Sequence, residues 1–356
     1  MTLTSRERAR LALSHQEGDR VPMFEISYWP ETIERWEKEG LPKGADPLDY
    51  FGMDRVHFVY PDSTLRLPSE LVEEGTQYRL ERDSDGVLLR SIRGSYVPPS
   101  EVGWSIQTAD DWRSLRQRMV ATPDRFGRDT LAAARHASSQ GQFVVLSPVE
   151  PAWYFIRTLG LETASVVMMQ QPDFFDDVLE VMTQFNLDII ELAMQSKYPL
   201  DAVWYFSDLC YRNGMLFSPR LYRVHVLPRL RRICALCHEL GLKVIYHCDG
   251  YVAELIPLLI EAGADCIQPL EARAGNDLRI YRQQYQHRIA FFGNISADVI
   301  AEGKFDTIED EVQSKVSLAK EGGGYLYHID HSVPPGVSFA AYSWLIECVK
   351  RYGTYA

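Results

Sequence analysis

The sequence has 356 residues, of which 46% are hydrophobic and 24% are charged, as in ordinary globular proteins. A formal net charge of −12 and the lack of a basic stripe argue against nucleic-acid binding, which requires cations to neutralise phosphates. There is no apolar run of about 18 residues and no apolar signal core, so neither a membrane protein nor a secreted one is predicted. Six scattered cysteines are typical of reduced thiols, and we expect a cytoplasmic location.

Short apolar runs alternate with longer helical patterns along the chain. The runs are rich in β-branched and aromatic residues, which is typical of strands buried on both faces. They cover residues 21–26, 56–60, 143–146, 202–206, 244–247, 266–269, 289–292 and 325–328. Strands alternating with helices in this way predict an α/β fold, a (β/α)₈ TIM barrel, with residues 1–356 as a single domain. An open doubly wound sheet is the alternative, but no glycine-rich phosphate turn follows the first run.

The segments between the runs contain two further patterns. Apolar residues at helical spacing predict two helices within residues 161–194 and one helix each within residues 219–240 and 307–320. Gly322–Gly324 ends the last of these helices. Residues 75–100 instead alternate polar and apolar side chains around Asp85 and Gly86, which predicts a β-hairpin inserted after the second strand.

Polar and ionisable residues follow nearly every predicted strand. In a barrel the C-terminal ends of the strands form the active site, so the sequence predicts a catalytic mouth. Polar loop ends without chemistry are the alternative. The residues are Glu25, Tyr28, Tyr60, Asp62, Glu150, Asp208, His247, Cys248, Asp249, Glu271, Asn294, His328, Asp330 and His331.

Aromatic residues lie near the same strand ends, among them Tyr28, Trp29, Trp153 and Tyr205. A flat aromatic substrate stacks well between such rings, so we predict that these four residues bind substrate. Packing between barrel and helices is the alternative.

Three other features favour structural roles. Strand alternation turns Cys248 away from His247, so we expect Cys248 to pack in the core. Asn294 is expected to cap the helix that follows it. Cys234 and Cys237 lie inside a helical pattern without a second cysteine pair, so they are expected to pack on a helix face.

Several stretches resemble the uroporphyrinogen decarboxylase superfamily, and within it the cobalamin-related methyltransferases. The family fold is a (β/α)₈ barrel with an N-terminal helical extension, which the resemblance places at residues 1–20. The matching stretches are RERARLALSHQEGDRVP (6–22), HCDG (247–250), FFGNIS (291–296) and GGGYLYHIDHSVPPGVSFAAY (322–342).

The sequence departs from true uroporphyrinogen decarboxylases after the first strand. Those enzymes have an arginine-rich segment there for the carboxylates of the substrate, whereas residues 24–36 read FEISYWPETIERW. Buried carboxylates are costly without cationic partners, so decarboxylation of a porphyrinogen is not expected.

The resemblance also implies a metal site. Family methyltransferases bind zinc through His-x-Cys and a distant Cys, but here Asp249 takes the place of the first Cys and the distant segment has none. The ligands would be His247, Asp249 and His331, with Glu271, for Zn²⁺ or another divalent metal. A thiol methyl acceptor is disfavoured because the thiolates are missing.

The resemblance therefore implies a metal-dependent methyltransferase or O-demethylase that acts on a small methoxylated or methylated substrate. In one version of this hypothesis the substrate is aromatic. The methyl group would pass to a corrinoid on a separate partner protein, since the chain lacks an Asp-x-His-x-x-Gly corrinoid signature. Asp208, Asp62 and Glu150 would orient ligands or carry protons.

Two alternatives stay open. One is a decarboxylase of a small carboxylated substrate that uses Asp62, Asp208 and His331 as proton carriers. The other is a barrel that binds a tetrapyrrole or a corrinoid partner without chemistry. The oligomeric state is also open, with a homodimer as one arrangement.

Overall fold

A computed structural model describes residues 2–94 and 97–355 of the chain. Its strands are β1 (Val56–Val59), β2 (Glu70–Glu74), β3 (Tyr78–Arg82), β4 (Val87–Ile92), β5 (Ser100–Trp104), β6 (Phe143–Leu146), β7 (Ala202–Phe206), β8 (Cys210–Tyr211), β9 (Gly214–Met215), β10 (Lys243–Cys248), β11 (Cys266–Pro269), β12 (Ala290–Phe292) and β13 (Tyr325–Leu326).

The α-helices are α1 (Ser5–Leu13), α2 (Pro30–Glu39), α3 (Pro47–Phe51), α4 (Ala109–Leu115), α5 (Thr130–Ser139), α6 (Pro151–Leu159), α7 (Leu161–Gln170), α8 (Pro172–Gln195), α9 (Pro219–Leu221), α10 (Leu227–Glu239), α11 (Ile256–Ala262), α12 (Leu278–Tyr285), α13 (Ala297–Ala301), α14 (Phe305–Ala319) and α15 (Phe339–Gly353).

The barrel wall is a parallel sheet of seven strands in the order β1-β6-β7-β10-β11-β12-β13. Helices follow most of these strands and cover the outside of the sheet. The predicted α/β barrel is confirmed, and so are seven of the eight predicted strand positions.

The prediction of a regular strand at residues 21–26 is wrong. This segment is extended but forms only one bridge, between Met23 and Tyr327. Tyr327 N–H donates to Pro22 O at 2.8 Å, and Asp54 N–H donates to Met23 O at 2.7 Å. A proline has no N–H for a strand ladder, so regular pairing does not extend through Pro22. The segment nevertheless lies between β13 and the start of β1, where an eighth strand belongs.

The carboxylate of Asp54 holds this segment in place. Its Oδ2 accepts hydrogen bonds from Met23 N–H at 2.8 Å and from Arg20 at 2.6 Å. Its Oδ1 accepts from Arg8 of α1 at 2.9 Å. Asp54 is 2% exposed, so these bonds are shielded from water. One side chain therefore ties α1, the extended segment and the start of β1 together.

Strand alternation separates the side chains of the barrel into two layers. Trp204 and Ile245 point into the barrel and belong to an inner apolar cluster. Tyr205 and Tyr246 point outward and pack in the larger core between the barrel and its helices. The inward direction of Ile245 carries over to His247 two residues later, which decides what faces the mouth.

The predicted hairpin forms where expected, after β1. Strands β3 and β4 pair antiparallel across a turn at Asp83–Gly86. Gly86 has φ +79 and a Cβ there would lie 2.8 Å from Ser105, so the turn requires glycine. The structure adds β2 and β5 to make a four-stranded sheet, which is larger than predicted. Residues 95 and 96 of the predicted hairpin segment lie outside the described residues.

The predicted helices agree with α7, α8 and α14. Residues 219–240 form α9 and α10 with a π-helical turn, Tyr222–Val226, between them. There Leu227 N–H donates to Tyr222 O, one residue further back than in an α-helix. Pro228 has no N–H to donate, so an α-helical bond at that position is missing anyway.

Helix α8 has 24 residues, which is long enough in principle to cross a bilayer. It carries several acidic side chains, however. Within residues 2–94 and 97–355, no helix combines the length and the apolar character that a membrane span needs.

Asp54→Ala should lower the free energy of unfolding by roughly 2–4 kcal/mol, because Met23 N–H loses its acceptor and Arg8 and Arg20 lose a buried partner. Asp49→Ala is the control: its side chain is 74% exposed and pairs with Arg55, so a loss below about 1 kcal/mol is expected. Urea unfolding measures both. Equal losses in the two variants would contradict the closing role of Asp54.

Candidate functional site

Asp208, His247 and Asp249 come together at the C-terminal ends of β7 and β10. His247 Nε2 lies 3.4 Å from Asp208 Oδ1 and 3.8 Å from Asp249 Oδ1. Asp249 N–H donates to Asp208 Oδ1 at 3.3 Å, which fixes one carboxylate relative to the other. One ligand atom from each of the three side chains lies within 4.8 Å of the others. We call this group the mouth cluster.

The electrostatics of the mouth cluster favour a positive charge. Burial opposes a charged ring, but the contact with Asp208 and the charge of Asp249 outweigh burial and raise the pKa of His247 above 6.5. Burial also works against ionised Asp208, yet His247 holds the pKa of Asp208 below 3.8. Burial raises the pKa of Asp249 above 3.8, with His247 as a partial counterweight. Two carboxylates around one imidazole can hold a cation or a proton.

His247 is oriented by Gln268 of the neighbouring strand. His247 Nδ1–H donates to Gln268 Oε1 at 2.5 Å, so Nε2 faces the carboxylates. The Phe206 ring packs on the other side, with ring centroids 4.7 Å apart. Gln268 was not among the predicted site residues. A polar residue within the short apolar run 266–269 was the sequence signal that could have identified it.

A cavity of about 210 Å³ opens beside the mouth cluster. Three polar atoms on its lining residues, Asp249 Oδ1, Gln268 Nε2 and His328 Nδ1, are buried without a hydrogen-bond partner among the described residues. Larger cavities of about 580 and about 640 Å³ adjoin it, the first sharing Asp249 and the second sharing Phe206. The lining of the small cavity is Ile26, Phe206, His247, Asp249, Gln268, Pro269, His328, His331 and Ser332.

Glu25 and His328 form a buried pair behind this cavity. Glu25 Oε2 lies 3.4 Å from His328 Nε2, which also accepts Ile26 N–H at 3.1 Å. Burial raises the pKa of Glu25 to about 8, although Tyr327 and Tyr342 donate to its Oε1. Burial lowers the pKa of His328 to about 3. At neutral pH the pair is therefore uncharged, and the sequence analysis noted both positions without assigning them a role.

The other predicted metal ligands lie near the mouth cluster but have different surroundings. His331 Nε2 lies 3.9 Å from Asp249 Oδ2, whereas His247 Nε2 approaches the other carboxylate oxygen, Oδ1. Glu271 accepts Gly250 N–H at 2.9 Å and pairs with Arg273, so its carboxylate is already engaged. Asp208, predicted as a proton carrier or orienting residue, is the carboxylate that lies beside His247 Nε2 together with Asp249.

Three predicted residues have partners outside the mouth cluster. Glu150 is buried, accepts Trp153 N–H at 2.6 Å as the N-cap of α6, and burial raises its pKa to about 7. Tyr205 is fully buried, and its hydroxyl donates to Asn186 of α8 at 3.2 Å. Asp62 is bound by Thr64 and Arg66 within its own loop. A one-residue offset on a strand turns a side chain to the opposite layer, and this explains Tyr205.

The other aromatic residues predicted to bind substrate lie either in the core or at a cavity. Tyr28 packs against Trp36 and Tyr342, with ring centroids 5.6 and 5.9 Å apart, so it is part of the core. Trp153 lines the cavity of about 640 Å³, and Trp29 lines one of about 330 Å³ that also includes His331.

The capping role predicted for Asn294 is also wrong. It follows β12 with φ 72 and its side chain does not cap the next helix, which Ser296 caps instead. Its Oδ1 accepts Leu278 N–H at 2.9 Å, and its Nδ2 donates to Leu270 O at 2.6 Å. Cys248 is fully buried in the outer layer, as expected. Cys234 and Cys237 are likewise buried on α10.

A family model described as Uroporphyrinogen decarboxylase (URO-D) matches residues 143–352, which is more than half of the chain. The chain belongs to the uroporphyrinogen decarboxylase family. The matched segment contains β6 to β13, the whole mouth cluster and Gln268. The resemblance inferred from the sequence is therefore confirmed.

Individual comparisons agree with this family. Uroporphyrinogen decarboxylase of Pelobacter propionicus is 25% identical over 185 residues, 52% of this chain and 51% of that protein. The Coxiella burnetii protein of the same name is 25% identical over 201 residues, 53% of this chain and 51% of the relative. The chain thus spans about half the length of these curated relatives. A methyltransferase from Methanosarcina mazei has the same fold, with a TM-score of 0.68, 15% identity and coverage of 98% and 99% of the two chains.

The raised pKa of Glu25 predicts a pH-dependent stability. Below pH 4.5 the group is protonated in both states; between 4.5 and about 8 only the unfolded state ionises, so the free energy of unfolding falls as pH rises and levels off above about 8. The loss is on the order of 1.4 kcal/mol per pKa unit. Glu25→Gln should reduce this slope and leave the part that comes from Glu150, whose pKa burial also raises, whereas Glu73→Gln on exposed β2 should leave the slope unchanged. Urea unfolding at about pH 5 and about pH 9 tests this. An unchanged slope in Glu25→Gln would contradict a buried neutral carboxyl.

Proposed function

We propose that the chain is a metal-dependent methyltransferase that demethylates a small methoxylated or methylated substrate and passes the methyl group to a corrinoid on a separate protein. The observation that carries this proposal is the mouth cluster. It gathers one imidazole and two carboxylates at the mouth of a barrel of the uroporphyrinogen decarboxylase family.

The donors of the mouth cluster fit a divalent metal. Imidazole nitrogen and carboxylate oxygen are ordinary ligands of Zn²⁺ and of other divalent cations. Asp249 Oδ1 is buried without a hydrogen-bond partner, although a buried carboxylate oxygen is costly unless something satisfies it. Asp208, His247 and Asp249 would hold the ion. His331, close to the second oxygen of Asp249, would complete or flank the set.

A divalent cation at this position would polarise an ether oxygen and make the demethylated product a better leaving group. The other work belongs to the chain's own residues. Gln268 holds His247 in the tautomer whose Nε2 faces the carboxylates. Phe206 covers one face of that ring and lines both the small cavity and the cavity of about 640 Å³. That second cavity includes Trp153 and adjoins the small cavity, where the substrate would lie.

Support for methyl transfer also comes from the fold shared with the Methanosarcina mazei protein, which is described as a methyltransferase. The residues here replace the cysteine ligands expected of thiol-directed relatives with Asp249 and leave Cys248 packed away. A hard oxygen-rich site suits an oxygen-bound methyl group better than a thiol acceptor.

Decarboxylation of a small substrate is the second candidate, favoured by the names of the curated relatives. His247, which lines the small cavity and contacts Asp208, would deliver the proton that replaces carbon dioxide. The small cavity has no lysine or arginine in its lining, however. Arg157 and Arg273 in the adjoining cavities are paired with acidic side chains, whereas Arg212, which lines the cavity of about 580 Å³, has no acidic partner among the described residues. A substrate with many carboxylates would find few free cations there.

Elemental analysis tests the metal site directly. The purified protein should contain about one equivalent of zinc or another divalent metal, and His247→Ala and Asp249→Asn should lose it while remaining folded. His238→Ala is the matched control, because His238 also pairs with an aspartate, Asp265 at 2.9 Å, but at the opposite end of the barrel. Metal retained in both mouth variants, or absent from wild type grown with zinc, would overturn the proposal.

A product assay separates the two candidate reactions. Incubation with methoxylated aromatic compounds and a reduced corrinoid should give methylated corrinoid and the corresponding phenol, with a loss of at least about tenfold in Asp208→Asn. Release of carbon dioxide from small aromatic acids without methyl transfer would instead favour the decarboxylase. Neither product with any substrate, together with retained partner binding, would favour a non-catalytic barrel.

A further inference from the structure

Besides Asp249 Oδ1, two buried polar atoms on residues that line the small cavity have no hydrogen-bond partner among the described residues. They are Gln268 Nε2 and His328 Nδ1, on side chains that are 0% and 1% exposed. Both residues line the cavity of about 210 Å³. The proposed methyl-transfer chemistry uses neither of these atoms.

Both atoms are hydrogen-bond donors. Gln268 Oε1 accepts from His247 Nδ1–H, and Nδ1 carries a hydrogen whether Nε2 binds a metal or a proton. The amide nitrogen of Gln268 is therefore the free end. His328 Nε2 accepts Ile26 N–H at 3.1 Å, which puts the hydrogen of this neutral ring on Nδ1.

Unpartnered buried donors are rare because each loses its bonds to water without replacement. Two of them in one cavity indicate that something with a lone pair belongs there. The cavity is smaller than the pockets that hold drug-sized ligands, so its occupant has one ring at most.

The charges nearby define the acceptor further. No lysine or arginine lines the small cavity, and Asp249 is one of its walls. Glu25 behind His328 is neutral when protonated and would become a second negative neighbour if ionised. An anionic oxygen would meet repulsion there, whereas a neutral ether or carbonyl oxygen would not.

We infer that Gln268 Nε2 and His328 Nδ1 form a donor pair that binds a neutral oxygen acceptor of a substrate with no more than one ring. The pair would set which oxygen-bearing molecules are accepted, because an analogue without the oxygen leaves both donors unpaired. This inference rests on the proposed function, since it takes the small cavity as the substrate site.

Binding of two isosteric probes tests the donor pair. Anisole has one ether oxygen, and ethylbenzene has a CH₂ group in its place. Titration calorimetry on the purified full-length protein should show that anisole binds about tenfold more tightly than ethylbenzene. Benzoate, with an anionic oxygen, should bind more weakly than anisole.

Variants assign the preference to the two side chains. Gln268→Met and His328→Phe keep the approximate size of each side chain and remove its donor, so each should reduce the ratio of anisole to ethylbenzene affinity towards one. Gln184→Met, on the exposed face of α8, is the control and should keep the ratio. Because the ratio compares two probes in one protein, a general distortion of the cavity lowers both affinities and leaves the ratio in place.

Equal affinity of the two probes in wild type, an unchanged ratio in both variants, or no binding of either probe at millimolar concentration would overturn the donor pair. The measurement needs no methyl acceptor. A clear anisole preference in a protein that fails to transfer methyl groups would therefore refute the proposed reaction and leave the donor pair standing.

Discussion

The buried carboxylate of Asp54 is the constraint on which the barrel depends. The segment that takes the place of the first strand forms a single bridge, at Met23, with a few backbone hydrogen bonds such as that from Tyr327 N–H to Pro22 O. Asp54 adds side-chain bonds to Met23 N–H, Arg8 and Arg20. Glu25 follows directly in this segment, so the closure of the barrel also places one member of the buried pair behind the mouth.

The register of the parallel strands then determines what meets at the mouth. His247 lies opposite Phe206 on one side and opposite Gln268 on the other. All three side chains point inward because Trp204, Ile245 and Cys266, two residues earlier on their strands, do so. The packing ring and the hydrogen-bond acceptor of His247 therefore come from the sheet itself, which is more rigid than the loops.

The site divides into a charged and an uncharged side. The mouth cluster concentrates two carboxylates around one imidazole, which suits a cation. The Glu25–His328 pair stays neutral because full burial disfavours charge on both groups. With a cation held at the mouth cluster, as proposed, a substrate between them would meet an electrophilic centre on one side and neutral donors on the other, and this combination suits an ether better than a carboxylate.

The sequence by itself determined the barrel, most of its strands and the hairpin, because continuous apolar runs and alternating runs reflect burial on two faces or one. It also placed His247 and Asp249 at a strand end. Only the tertiary structure decided that Asp208 joins them, that Tyr205 faces the helices, and that Gln268 orients the imidazole. Those choices depend on strand register and on which layer each side chain enters, and both are set by contacts between segments far apart in the chain.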